Sequence, residues 1–407
     1  MNESAPKRRN DLEFIPIQHE GRQLVLIRDH LGLVEEGKAV APAVYQMLAL
    51  LNGVRSVRDL QWELMRQHGG VLVDTDEINN ILAQLDKSFL LDSERFQSAR
   101  NDIVTRFARE PVRRCSHCGQ GYPDDPITLK AQLDEILDSH PPPSEPDGKI
   151  QAIVSPHIDL RVGYKVYARS YSMLKHTSPT RVILIGVGHQ MADNLFSLTD
   201  KDFQTPLGLV KSARVPIGQL REKGKGAVSD NDFAHRSEHS IEFQILFLQH
   251  ILKQDIRIIP VLCGSFQFSL PEYSRDAYLD KAGPFLESLR EIVSEPDTLL
   301  VAGVDFSHIG LKFGHDRPAE YLESQSIAHD KRLLEHLSRL DKERFWEESR
   351  EVKDRFNVCG FSALACLLEV LPPCKGEILD YQVWHEEATK SAVSFAGAVF
   401  TSPASSL

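Results

Sequence analysis

No run of about 18 apolar residues occurs anywhere in the 407-residue chain, so no membrane-spanning helix is expected. Positive charge is in short supply. The 47 Lys and Arg face 58 Asp and Glu, a net charge of −11. That balance argues against a general surface for nucleic acid or an anionic membrane. Six cysteines in so long a chain make no disulfide framework, and a reducing, cytoplasmic setting is expected. The opening MNESAPKRRN is polar and basic with no apolar segment behind it, which is not the pattern of a secretory signal. Low-complexity tracts and internal repeats are lacking too. What is present is ordinary globular composition, 42% hydrophobic and 26% charged, over a length that suits two or three domains.

The most informative stretch is Arg181 to His189, RVILIGVGH. Its unbroken apolar run reads as a strand buried on both faces, as in the middle of a parallel sheet. It ends in a histidine, and ligands of open α/β sheets sit beyond the carboxyl ends of the strands. The pattern recurs. Ile150 to Ser155 leads to Pro156-His157, Thr298 to Val304 leads to Asp305-Phe306-Ser307-His308, and Ile256 to Leu262 leads to Cys263-Gly264.

Taken in order, residues 1–10 are expected to be a disordered tail. Residues 11–96 suggest a small winged-helix-like domain: short strands near 14–17 and 24–28, then three helices. The first spans 41–51. Ser56 caps the second, which stops at Gly69-Gly70, and Asp74 or Thr75 caps the third. A closing strand is expected at 89–91. A winged helix suggests DNA, but residues 11–96 hold 8 Lys and Arg against 14 Asp and Glu, the wrong sign for phosphate. The helix order with LLNG at 50–53 and SVRDL at 56–60 resembles the PqqD family of peptide chaperones. That resemblance implies presentation of a peptide along a strand edge.

Residues 97–148 are expected to form a linker and a leading helix. Cys115-Ser116-His117-Cys118 sits in it, half of a structural zinc site with no second CxxC or HxxxH to complete it. Two free surface thiols are the plainer expectation. From 149 to 402, strands alternate with helices, which predicts an α/β domain with a mixed, mostly parallel sheet covered on both faces. Ser237 is a candidate N-cap for an amphipathic helix over Ile241, Ile245 and Leu248.

His157, His189 and Cys359 make an open three-ligand metal site, with imidazole and thiolate donors suited to iron, copper or zinc. His308 and His239, beside Asp305 and Glu238, would supply acid–base groups. Cys359 precedes Gly360 at an expected helix start, where the helix dipole favours thiolate. Cys263 and Cys366 read as core residues, and Cys374 as a loop thiol.

Further motifs carry a second resemblance: Gly121-Tyr122-Pro123, Ser155-Pro156-His157, Gly186-Val187-Gly188-His189, Glu238 to Glu242 (EHSIE), Ile259-Pro260-Val261, Asp305 to His308 (DFSH), and Cys359-Gly360. Over residues 111–402 their order resembles the Memo family, also called AmmeMemoRadiSam system protein B. The resemblance implies a fold similar to class III extradiol dioxygenases, a metal set at His157, His189 and Cys359, and a base at His308. It also implies a radical-SAM protein and an AMMECR-type protein as partners. The chain departs from the family's usual Pro-His-Ala-Gly-Tyr: Ile158-Asp159-Leu160 follow His157, which suggests an acidic lip on the pocket. A thiolate also stands where the dioxygenases use a carboxylate, making the site softer and oxidisable. Three readings follow: an iron- or copper-dependent redox enzyme on a small molecule or peptide, a non-catalytic metal- or peptide-binding adaptor, and a zinc hydrolase in which Glu238 activates water.

Overall fold

The computed structural model describes residues 4–67, 74–143, 146–191, 194–252 and 254–403, and it divides into two compact units, Met1–Arg109 and Glu110–Leu407. In the first unit, β1 (Leu12–His19) and β2 (Arg22–Asp29) form an antiparallel hairpin, and β3 (Ala39–Val40) pairs with β2. Helices α1 (Pro42–Leu50), α2 (Val57–Gln67), α3 (Thr75–Lys87) and α4 (Glu94–Arg109) follow. Ser56 caps α2 reciprocally. Its Oγ accepts from the Asp59 N–H at 3.2 Å, and the Asp59 carboxylate accepts from the Ser56 N–H at 2.8 Å. Asp74 caps α3, whose buried face is Ile78, Leu82 and Leu85. The expected stop at Gly69-Gly70 lies outside the described residues.

Three expectations change here. Residues 4–10 are not a free tail. Ser4, Lys7 and Arg8 bridge to Ser56, Asn52 and Leu91, and Arg9 is buried against Asp11 and Asp29 at 2.8 and 2.6 Å. A buried guanidinium needs such partners, and it fixes the segment that carries it. The strand at 89–91 reduces to one bridge at Leu91, because Phe89 turns left-handed at φ 55°. The expected linker divides: 97–109 is the body of α4, with Ile103 and Phe107 buried, while Val112–Arg114 form a strand of the second unit's sheet and Pro126–Ser139 the leading helix.

The second unit contains β4 (Val112–Arg114), α5 (Pro126–Ser139), β5 (Lys149–Ser155), α6 (Leu160–Ser172), β6 (Arg181–Val187), β7 (Phe196–Leu198), β8 (Asp202–Thr205), β9 (Gly208–Ser212), α7 (Arg214–Lys223) and α8 (His239–Ile251). Then come β10 (Arg257–Cys263), α9 (Phe266–Ser269), α10 (Arg275–Val293), β11 (Thr298–Gly303), β12 (His308–Gly310), α11 (Glu323–Ser338), α12 (Lys342–Val352), α13 (Phe361–Val370), β13 (Lys375–Glu386) and β14 (Ser391–Ser402). The sheet runs β12-β14-β5-β11-β6-β10-β9-β8-β4, with β13 on β14 and β7 on β10. Its centre, β5-β11-β6-β10-β9, is parallel, and β14 returns antiparallel to β5. Strand β11 is buried along its whole length, and only Arg181 of β6 and Arg257 of β10 escape burial. That explains why these segments read as continuous apolar runs rather than alternating ones. One core lies beneath α5, α6 and α8, and the other beneath α7, α10, α11 and α13. Among the described residues no helix is long and apolar enough to cross a membrane.

Candidate metal centre

Strands β5, β6 and β11 end side by side, with Ser155 opposite Gly303 and Gly303 opposite Gly186. Chain leaving β5 delivers His157, and chain leaving β6 delivers His189. Helix α8 begins directly over these ends. Its first turn is sewn to β6 by Ser240, whose hydroxyl donates to Val187 O at 3.0 Å and accepts from Val187 N–H at 3.1 Å. It packs so closely that a Cβ on Gly303 would lie 2.3 Å from Ser240 O. The approach brings Glu238 and His239 to the strand ends. Cys359 comes from the opposite face of the sheet, just before α13. Gly360 lets it in: a Cβ there would meet Asp305 O at 2.5 Å.

The outcome is a cluster of three imidazoles. Their ring centroids are 5.0–5.1 Å apart, and the potential ligand atoms of His157, His189 and His239 all fall within 4.8 Å of one another. Cys359 Sγ lies 3.6 Å from His157 Nε2. Two donors on one tetrahedral ion, at about 2.0–2.1 Å for nitrogen and about 2.3 Å for sulfur, would be about 3.5 Å apart. That pair fits a shared ion, but among the described residues the group whose donor atoms all converge is His157, His189 and His239, not the expected His157, His189 and Cys359.

The hydrogen bonds set the tautomers. His157 Nδ1 faces the Gly303 carbonyl at 3.0 Å, so Nδ1–H donates and the Nε2 lone pair points into the cluster. His189 Nδ1 is held by the Glu238 carboxylate at 3.0 Å, and the His189 backbone N–H donates to the other oxygen at 3.1 Å. His308 Nδ1 faces Phe306 O at 3.0 Å, which frees its Nε2. Burial pushes His157 down to about 3, and the neighbouring His189 adds to this. Burial likewise lowers His308 to about 4. Both rings are thus neutral at pH 7, the form that binds a metal or accepts a proton. Burial would raise Glu238, but His189 and His239 beside it hold the carboxyl well below its usual range. Asp305 is raised to about 6 by burial. One of its oxygens accepts from His157 N–H at 3.0 Å, and the other is 3.6 Å from His157 Nε2.

A cleft of about 390 Å³ opens on this cluster. His189, His308 and Cys359 line it together with Met191, Phe266, Phe268, Tyr273 and Phe313. The His308 ring packs edge-on against Phe313 at 4.9 Å, on the cleft wall rather than among the other imidazoles.

The family model for Memo-like proteins matches residues 113–399. A MEMO1 family protein of Aquifex aeolicus is 31% identical over 392 residues, covering 96% of this chain and 99% of the relative. The chain belongs to the Memo-like family. A second MEMO1 family protein, from Thermus thermophilus, is 26% identical over 340 residues, 83% of this chain and 97% of its own. One from Methanopyrus kandleri is 27% identical over 278 residues, 65% and 89% respectively.

In this Memo-like chain several site details differ from expectation. Ser237 is not the cap of α8; Glu238 is, accepting from Ser240 N–H at 2.9 Å while it also holds His189. Asp159 is no acidic lip but the N-cap of α6, accepting from Arg161 N–H at 2.8 Å and pairing with its guanidinium. The helix dipole does not activate Cys359. Burial, with Asp305 close by, pushes the thiol well above its ordinary range. Cys115 and Cys118 are neither free thiols nor part of a cluster of metal-binding groups among the described residues; they are bonded to each other. Cys263 and Cys366 are buried, as expected. One supporting residue escaped the sequence reading. Buried Gln244 donates to Pro156 O at 2.9 Å and Ser240 O at 3.0 Å, tying α8 to the segment that carries His157. A polar residue inside the apolar stripe of α8 was its signal.

Proposed function

We propose that this Memo-like protein is a metal-dependent redox enzyme, with iron or copper held by His157, His189 and Cys359 and a small molecule or peptide as substrate. The convergence of the His157, His189 and His239 donor atoms, with Cys359 Sγ 3.6 Å from His157 Nε2, supports this reading. His239 faces the same point as a further donor. Bound there, the metal would supply Lewis acidity and electron exchange. Around it, Glu238 and the Gly303 carbonyl orient the imidazoles through their Nδ1–H groups. His308, with Nε2 free and the ring neutral, takes a proton from a molecule in the cleft. Asp305 holds the His157 backbone in place. Met191, Phe266 and Phe313 favour an apolar portion of the substrate. The zinc-hydrolase reading is less well supported, because Glu238 already accepts on both oxygens and is 5% exposed.

The test is elemental analysis of protein purified without oxygen. The expected result is close to one iron or copper per chain in the wild type and loss of most of it in His157→Ala and Cys359→Ser chains that keep the native circular dichroism. Full metal content in both variants overturns the proposal.

A further inference from the structure

The CxxC loop has no part in the reading above, yet it is built against the wall of the same site. Cys115 and Cys118 are bonded with Cα atoms 5.8 Å apart, and both are half-buried. The loop closes tightly. Gly121 N–H donates to His117 O at 2.8 Å, and Gly119, at φ 79°, donates to Tyr122 O at 2.8 Å. Its anchor is Glu242 on α8, one turn beyond His239. That carboxylate accepts from Ser116 N–H, Ser116 Oγ–H and His117 N–H, each at 3.0 Å, and from Tyr122 and Arg113. Burial would raise Glu242, but Arg113 and His117 hold it well below its usual range, so the anchor is anionic. The ring of His117, between the two cysteines in sequence, lies 5.4 Å from the His239 ring and 5.8 Å from Phe243.

Two-residue spacing, partial exposure and an imidazole on the same loop are the ingredients of an exchangeable disulfide. In a chain otherwise read as living among thiols, a disulfide is more often catalytic or sensing than structural. We propose that Cys115 and Cys118 are a reversible dithiol–disulfide pair, and that His239 senses its state through His117 and the Glu242 anchor. A protein or small-molecule dithiol is the reductant. Its thiolate attacks one sulfur, breaking the Cys115–Cys118 bond and forming a mixed disulfide. Its second thiolate then resolves that bond. The donor leaves oxidised, and its two electrons and two protons end on the two cysteine thiols. Opening the pair frees the backbone of Ser116 and His117 to shift on Glu242, and the His117 ring moves against His239. The pair does not depend on the metal reading, since it is defined without any ion.

The experiment uses the full, chelator-treated chain in buffers of reduced and oxidised dithiothreitol, with alkylation, peptide mapping and imidazole NMR. Cys115 and Cys118 should be alkylated together at least tenfold more in the reducing buffer, and the change should reverse on reoxidation. Buried Cys263 and Cys366 should change less than twofold. The His239 resonance, assigned with His239→Gln, should differ between the two forms and stay fixed in a Cys115→Ser/Cys118→Ser chain. The wild-type titration stands even if that double variant fails to fold. Alkylation only after denaturation, retained zinc on the reduced pair, or an unmoved His239 resonance each overturns the proposal.

Discussion

Replacing Glu238 by Gln changes one atom's worth of chemistry at the busiest hydrogen-bond acceptor of the site. The carboxylate accepts from Ser240 N–H at 2.9 Å, His189 Nδ1–H at 3.0 Å and His189 N–H at 3.1 Å. A glutamine keeps one oxygen and turns an NH2 toward donors that have nothing to accept with. At least one buried, charge-assisted bond is lost, about 1.5–3 kcal/mol. To avoid the clash, His189 must rotate or move its proton to Nε2, the nitrogen a metal needs. A 10–100-fold loss of metal affinity follows, the usual scale for removing such an orienting carboxylate. Urea unfolding and competitive Zn²⁺ titration read the two effects separately. The sign with pH is fixed as well. The folded carboxyl lies well below its ordinary value of 4.5, so its stabilisation is complete above about 4.5 and fades as pH falls further. Wild type and variant should therefore converge in acid and diverge at pH 7. A Glu238→Gln chain that unfolds at the wild-type urea concentration and binds Zn²⁺ equally well would refute the orienting role.

Gly360→Ala should cost about 1–3 kcal/mol and displace Cys359, because the added Cβ would lie 2.5 Å from Asp305 O; urea unfolding and metal content check it. Asp159→Ala should cost about 1 kcal/mol as a lost helix cap and leave metal content unchanged, which separates a cap from a pocket wall. Glu242→Gln, which leaves buried Arg113 without its carboxylate, should cost about 3–5 kcal/mol in thermal or urea unfolding. Asp354 is raised from 3.8 to about 6 by burial, so the folded chain holds this proton more tightly and stability falls as pH rises from about 4 to 6. Asp354→Asn should make that decline shallower by about 1–3 kcal/mol in pH-dependent unfolding, leaving the share due to Asp305.

The parallel centre of the sheet was legible because strands buried on both faces must be largely apolar, and β6 and β11 are, beyond Arg181 and Thr298 at their starts. His157 and His189 were legible for the same reason: each follows such a strand where the chain has just left the sheet. Cys359 was singled out as a thiol at an expected helix start, and the family pattern repeated it, but its place beside His157 was not legible. No local periodicity reports that a residue 202 positions away will sit 3.6 Å from His157. The electrostatics of Cys359 were misjudged because a helix start favours thiolate only where burial does not outweigh it. Arg9 misled in the opposite way. In MNESAPKRRN it looks like one more solvated charge, and only the fold brings Asp29 to it. Glu238 was placed among the acid–base groups, but its role as cap and imidazole anchor depends on how α8 meets β6, which pairwise spacing does not encode.

X-ray absorption at the metal edge of the loaded protein tests the central claim most directly. The account predicts at least two imidazoles and one sulfur at about 2.3 Å in the wild type, with the sulfur gone in Cys359→Ser. A coordination shell of oxygens alone, unchanged by that substitution, would contradict it.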